Sequence, residues 1–441
     1  MLSKLGLRRR LIGGAAGMVR YVRYYSSSSS AANRATATPM VILPVINGMD
    51  VGYEVRNLAE ESVFFGVKKR RLRGCDTEAK LVGSSQGWLV LFNKSKDDLY
   101  LVDPLSESEA DHRIKLPPVR TLPEPYLNLD LDGHATVSKV VLSSSPDDED
   151  CCAVMIFSSA SRLARCYLHR SSEWTPVGPL FIPESDYIPF VRFAYIHEDL
   201  VYCSRSKAFT SVTPCEIFNL ESSKLCIRDR RRVTQRSYVD CNVKDYCSLS
   251  SLYRLRGGGD IVLHHEVELE QGGATQIWVE ENKDFLIKHC VQIPHLVYAE
   301  QSDQLFLVIR FVTVIDHDDD GCGGGISTIP YCSVKGLKEI FECRTYGFIV
   351  MEIGKDREGE YVSMCRVVED LNGMAIFVGI NESFVVPATV ANQLNPNVIY
   401  FTDARRIRMM SGVNDNGVFD YQNKTVSRAP TDISGGIFSL L

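Results

Sequence analysis

The stretch Gly83-Ser84-Ser85-Gln86-Gly87-Trp88-Leu89-Val90-Leu91-Phe92 is followed, after a polar break, by Leu99-Tyr100-Leu101-Val102. Its two apolar runs are rich in β-branched and aromatic residues and too short for ordinary helices, so both read as strands. Gly83-Ser84-Ser85-Gln86-Gly87 also matches the Gly-x-Ser-x-Gly pattern of a nucleophile elbow. That motif needs a strand before it and a helix after it. Here a strand follows, so Ser85 is expected in a strand-to-strand turn, with no catalytic role.

The same pattern recurs outward along the chain. Strands are expected at Val137 to Leu142, Cys152 to Phe157, Leu200 to Tyr202, Ile261 to Leu263 and Gln276 to Val279. Others follow at Leu305 to Val314, Phe348 to Ile353, Ala375 to Val378 and Val398 to Phe401. Ser143 to Asp150, Gly257 to Asp260 and Asp316 to Gly325 punctuate them as loops. Helix is expected only over Val334 to Phe341 and residues 54 to 62.

Many short strands with regular turns suggest a sandwich, a barrel or a propeller. The length of the body favours a propeller, which grows by adding four-stranded blades. The fold class is therefore all-β, a β-propeller of about six four-stranded blades. Turn clusters place the blades near 81–118, 137–178, 190–228, 245–293, 296–369 and 374–430. Residues 61–430 form one domain, residues 26–60 a disordered linker, and residues 431–441 a tail.

Other motifs fail on their chemistry. Asp316-His317-Asp318-Asp319-Asp320-Gly321 copies the start of a calcium loop, but Ser327 stands where the bidentate Glu is required. Gly257 to Gly259 and Gly321 to Gly325 are not followed by Gly-Lys-Ser/Thr, so neither is a P-loop. His264-His265-Glu266 lacks the second His of a zincin helix. Cys241 and Cys247 lack zinc-ribbon spacing. The fourteen cysteines are scattered and read as buried thiols. In the vicinal pair Cys151-Cys152, alternation sends one side chain inward and the other outward. No catalytic, cofactor-binding or metal-ligating residues are assigned.

The amino-terminal segment carries a different signal. No acid precedes Asp50, whereas Lys4, Arg8, Arg9, Arg10, Arg20 and Arg23 lie before the serine run Ser26 to Ser30. Arg-rich, Ser-rich and acid-poor is the composition of an organellar transit peptide. A negative matrix potential pulls such a segment inward with about 2.3 kcal/mol per charge per 100 mV. Arg23-Tyr24-Tyr25 before Ser26-Ser27 resembles a matrix-protease site, with Arg23 as recognition residue and cleavage between Tyr25 and Ser26. Residues 1–25 are therefore expected to be a mitochondrial transit peptide, in preference to chloroplast or dual targeting. The apolar stretch Leu11 to Val19 is too short to span a bilayer, and no later run is long enough, so no membrane insertion is expected.

Six of the 49 basic residues precede Ser26, which leaves 43 against 55 acids, a net charge of −12. Nucleic-acid binding needs basic patches to neutralise phosphates, so no nucleic-acid partner is expected. Arg228 to Arg232 reads as a solvated loop.

A series of phrases carries a family resemblance. Leu371-Asn372-Gly373, Ala375-Ile376-Phe377-Val378-Gly379, Asn381, Ser383, Asn395 to Asp403 and Gly417-Val418-Phe419-Asp420 lie in the carboxyl-terminal third. Gly83 to Leu89, Asp103-Pro104-Leu105 and Ile114 to Pro118 lie in the amino-terminal part. Together they resemble the plant family called domain of unknown function 295, the KIB-type β-propellers, over residues 60 to 430. The resemblance implies the propeller fold. On physical grounds Trp88 is expected to pack between sheets, Gly379 and Gly417 to serve turns, and Asn395-Pro396-Asn397 to form a turn before a strand. Many members place the domain behind an F-box and look like ubiquitin-ligase substrate receptors. Residues 26 to 80 hold no F-box-like pattern, so the chain looks like an organellar branch. The expected function is a non-enzymatic, monomeric mitochondrial matrix protein that binds an unknown protein partner. The alternatives are an enzyme or small-ligand binder using the channel, and a ubiquitin-ligase adaptor.

Overall fold

The structure, a computed structural model, describes residues 39–47, 50–57, 79–93, 95–103, 113–122, 137–157, 162–177, 198–212, 217–221, 253–254, 262–263, 266–268, 273–315, 342–355, 361–379, 382–388, 394–402, 415–428 and 437–440. Two strands, β1 (Pro39–Asn47) and β2 (Asp50–Asn57), come first. The first four-stranded antiparallel sheet is β3 (Ala79–Ser85), β4 (Trp88–Asn93), β5 (Asp98–Val102) and β6 (Arg113–Lys115). The second is β7 (Val137–Leu142), β8 (Cys152–Phe157), β9 (Arg162–Tyr167) and β10 (Thr175–Val177). A three-stranded sheet follows, β11 (Asp199–Cys203), β12 (Ala208–Val212) and β13 (Ile217–Glu221).

After the short pair β14 (Tyr253–Arg254) and β15 (Val262–Leu263) come β16 (Glu266–Glu268) and the helix α1 (Ala274–His289). The chain continues through β17 (Cys290–Ala299), β18 (Gln304–Ile315), β19 (Glu342–Lys355) and β20 (Tyr361–Val367). It then forms β21 (Met374–Val378), β22 (Phe384–Pro387), β23 (Val398–Phe401), β24 (Gly417–Asp420), β25 (Thr425–Arg428) and β26 (Ile437–Leu440). Strands β16 to β25 make one ten-stranded sheet, in the order β16-β20-β19-β18-β17-β22-β21-β23-β24-β25. Its two halves meet at a single residue pair, Tyr298 with Phe384. It is therefore two blades bridged at one point.

The hydrophobic core is divided between successive sheets. Trp88, Val90, Met155 and Trp174 pack together between the first and second. Val141, Ile156, Leu200 and Phe209 join the second to the third. Val201 and Val212 meet Leu296, Leu307 and Met351 between the third and the β17–β20 blade. Val297, Phe306, Phe348, Ile376, Phe401 and Phe419 fill the space between the two halves of the large sheet. The strands β4, β5, β8 and β12 are buried along their whole length, which is why such strands read as continuous apolar runs instead of alternating ones.

The strand at Gln276 to Val279 is corrected to helix. Trp278, Val279, Phe285 and Leu286 recur at helical spacing, and no Gly or Pro interrupts Ala274 to His289. The side chains of Trp278, Val279, Phe285 and Leu286 pack on the core. The expected helix at 54–62 is strand as far as Asn57. The linker at 26–60 contains β1 and β2, and the tail at 431–441 contains β26; β1 pairs with both β2 and β26. The two ends of the chain therefore share one three-stranded sheet. The expected blade boundary near 293–296 falls inside β17, which carries Pro294. Proline is tolerated there because β17 is paired at only one residue on its β22 side.

Gly417 opens β24 instead of serving a turn. A Cβ there would lie 2.5 Å from the Ser427 carbonyl oxygen and 2.7 Å from the Phe401 ring. Gly417→Ala should cost about 1–3 kcal/mol by overpacking, read as a lowered urea midpoint; an unchanged midpoint would show that the strand pair can spread.

Candidate functional site

Several buried polar side chains, Ser85, Lys139, Asp199 and His295 among them, lie on the first strands of successive sheets. Strand β3 packs on β7, β7 on β11, and β11 on β17. A series of polar contacts runs across these joints.

Gln86 (φ 52°) and Gly87 (φ 80°) turn β3 into β4 through a two-residue hairpin. Ser85, the last residue of β3, is buried there. Its hydroxyl donates to Glu382 Oε2 at 2.5 Å and accepts the Leu142 N–H at 2.9 Å. The Glu382 N–H donates to the Ser84 carbonyl at 2.9 Å. Ser85 therefore ties β3 to the end of β7 and to the segment entering β22.

The next joint is ionic. Lys139 on β7 pairs with Asp199 on β11, both nearly inaccessible to solvent. Asp199 Oδ2 also accepts the Leu296 N–H of β17 at 2.7 Å. Burial pushes the Asp199 carboxyl up from its ordinary value, and Lys139 and backbone N–H groups pull it back. One carboxylate thus links three sheets.

His295 follows on β17. It is 3% exposed, and its Nε2 has no hydrogen-bond partner. Burial holds its pKa well below the ordinary 6.5, reinforced by Arg310 and Lys139. The imidazole is neutral in the fold and charges more readily once unfolded. Its contribution is therefore complete above about pH 6.5 and is lost as pH falls below that value. Urea midpoints should fall between pH 7 and pH 5, and less so in His295→Gln; equal falls in both proteins would remove His295 as the cause.

Arg310 on β18 is fully buried. Its Nε donates to Thr345 Oγ1 at 2.8 Å and Nη1 to the Thr402 carbonyl at 2.6 Å. Nη2 reaches the Asp415 carbonyl and Oδ2, each at 2.9 Å. Thr345 also donates to Asp415 at 2.6 Å, and the guanidinium carbon lies 4.7 Å from the Phe401 ring centre.

These groups went unassigned in the sequence, yet a signal was present. Lys139, His295 and Arg310 are isolated polar residues inside long apolar strands, where an unpaired charge would be prohibitive. Trp88 is packed in the core and Asn395-Pro396-Asn397 precedes β23 as a turn, both as expected. Asn397 takes a left-handed φ of 57° and accepts the Gly373 N–H at 3.0 Å. Cys151 and Cys152 do point to opposite faces, but both are buried, because each face is covered by another sheet. Burial raises their thiols to about 11 and about 12, and Cys290 to about 12.

The residues Arg23, Tyr25 and Ser26, the loops at Arg228 to Arg232, Gly257 to Gly259 and Asp316 to Gly325, His264-His265, Cys241, Cys247 and the helix at Val334 to Phe341 lie outside the described residues. Among the described residues, no cluster of three or more His, Cys, Asp or Glu is arranged to hold a metal ion. No helix among them is long and apolar enough to cross a membrane.

No curated protein matches the chain. Among solved structures, the extracellular domain of a one-component system from B. thetaiotaomicron aligns at 9% identity with a TM-score of 0.24. That alignment covers 88% of this chain and 52% of the other, so the chain spans about half of that domain's length. At that score it carries no argument. The KIB1-4 β-propeller family model matches residues 64–420, which takes in every sheet from β3 to the end of β24. The chain belongs to the KIB1-4 β-propeller family.

Proposed function

We propose that the mature chain is a non-enzymatic β-propeller that binds a protein partner in the mitochondrial matrix. The observation that carries this reading is the use made of the reactive side chains. Ser85 is held between a carboxylate and a backbone N–H, and Lys139 and Asp199 are spent on each other across a sheet boundary. The thiols of Cys151, Cys152 and Cys290 are pushed far from their nucleophilic form. Groups so committed brace the sheets, which suits a scaffold that presents its loops to another protein.

The compartment rests on the amino-terminal composition: six basic residues and no acid before Ser26. Crosslinking with mass spectrometry in isolated mitochondria tests the pair of claims. The expected result is a reproducible crosslink to a matrix protein, with a mature terminus at Ser26. Repeated recovery of the protein without crosslinked neighbours would reject the partner-binding role. An intact Met1 terminus would reject the processing step.

A further inference from the structure

The hydrophobic clusters described above each join two successive sheets. Two others, among the described residues, stay within one sheet. On the half of the large sheet that starts at β22, Phe384, Phe377, Tyr400 and Val418 stand in one row across β22, β21, β23 and β24. The rings of Phe384 and Tyr400 stack on Phe377, with centres 4.7 and 4.8 Å away. Ala375, Val386, Leu394 and Val398 complete this face. On the first four-stranded sheet, Leu81, Leu91 and Tyr100 form a similar row, with Val102 beside it. Phe377 is fully buried, and Leu91, Tyr100 and Val102 are at most 8% exposed. Yet neither cluster holds a described side chain from another sheet.

These two faces look toward each other. The opposite face of the first sheet meets the second sheet, and the opposite face of the last meets the β17–β20 blade. The two faces therefore flank the gap between the last sheet and the first. At one end of that gap the sheets touch through Ser84, Ser85 and Glu382. The chain leads into the gap from both sides. Strand β25, at the far edge of the last sheet, precedes β26, and β26 packs on β3. Strand β26 pairs with β1 and β1 with β2, and β2 is the strand before β3. The first two sheets are connected in the same way, from the edge strand β6 to the joint strand β7. Both alternating sets of β1, Met40-Ile42-Pro44-Ile46 and Val41-Leu43-Val45, are apolar, the pattern of a strand covered on two faces.

We infer that the β1–β2–β26 sheet is a clasp: a closing blade wedged between the Phe377 and Tyr400 face on one side and the Leu91 and Tyr100 face on the other, which locks the ring only when the two ends of the chain have met. Strand β26 supplies its joint edge, and the hairpin of β1 and β2 supplies the rest. Closure waits for residues 437–440, which follow every other described strand. Strands β1 and β2 are thus a working part of the propeller. A proteolytic cut between Pro39 and Asn57 opens the ring, whereas a cut before Pro39 leaves it whole.

The test is hydrogen exchange with mass spectrometry on the full chain, with urea unfolding of Val41→Lys and Ile42→Lys. The amides of β1 should be protected as strongly as those of β4 and β23, because the clasp opens only when the ring does. Each variant should raise the unfolding equilibrium constant by about a hundredfold, since successive strand residues serve opposite faces and each substitution buries an unpaired ammonium. Rapid exchange in β1 while β4 and β23 stay protected would overturn the clasp. A parental unfolding constant for either variant would overturn it too, because the sheet would then lie against the propeller by one face only. The exchange measurement uses the parent chain alone and decides the matter if neither variant folds.

Discussion

Arg310→Ala should lose about 3–5 kcal/mol of stability, the usual cost of removing one partner from a buried ion pair. The residue is wholly buried, and its guanidinium reaches Thr345, the Thr402 carbonyl, and both the backbone and the carboxylate of Asp415. Removal takes the cation from the buried Asp415 and opens a void beside Phe348 and Phe401. Against a typical total of about 5–15 kcal/mol, that loss should appear as a large fall in urea midpoint or as insoluble protein. Arg310→Lys separates charge from shape. It keeps the cation but not the planar fork that serves several acceptors at once, so its midpoint should fall between those of the parent and the alanine variant. A parental midpoint for Arg310→Ala would reject the bracing role.

The second large effect is expected at Lys139 and Asp199. Asp199→Leu alone strands a buried ammonium, and Lys139→Met alone strands a buried carboxylate. Each should cost about 3–5 kcal/mol, whereas the double variant should recover most of the loss, because apolar residues of similar volume replace buried ion pairs with little penalty. Asp199 also accepts the Leu296 N–H, so the double variant should remain below the parent by about 1–3 kcal/mol, the cost of one unsatisfied buried donor. Simple additivity of the two single losses would show that the residues are not coupled, and would remove the ionic link between β7 and β11.

Much of the architecture was legible because its signal is local. Val137 to Leu142, Cys152 to Phe157 and Val398 to Phe401 coincide with β7, β8 and β23, since short apolar runs between turn residues have few other solutions. The first two blades followed from the turns around them. The third to fifth were harder, because β17 carries Pro294 inside a ten-residue strand and β22 returns to β17 through one pair. The helix Ala274–His289 was misread because the run Ile277-Trp278-Val279 has strand-like composition. Seen over sixteen residues, its apolar side chains keep helical spacing. The hairpin of β1 and β2 was missed because the stretch was read as a linker. Its pairing with β26 joins residues almost four hundred positions apart, which no local pattern encodes.

The polar belt was visible only as oddities: a lysine in Val137 to Leu142, a histidine before Leu296, an arginine in Leu305 to Val314. Which acid meets which base is a matter of sheet order. Lys139 and Asp199 lie sixty residues apart, and Arg310 and Asp415 more than a hundred. The strand-to-strand turn expected at the Gly-x-Ser-x-Gly motif is the β3–β4 hairpin, where the Ser85 hydroxyl holds two neighbours.

Proximity labelling with the native amino terminus intact tests the central claim most directly, because it reports compartment and neighbours together. A labelling enzyme fused to the carboxyl terminus should mark matrix proteins, with one partner enriched reproducibly and lost when surface loops of the propeller are exchanged. Labelling of cytosolic or ubiquitin-ligase components instead, or of no reproducible neighbour at all, would contradict a matrix interaction propeller.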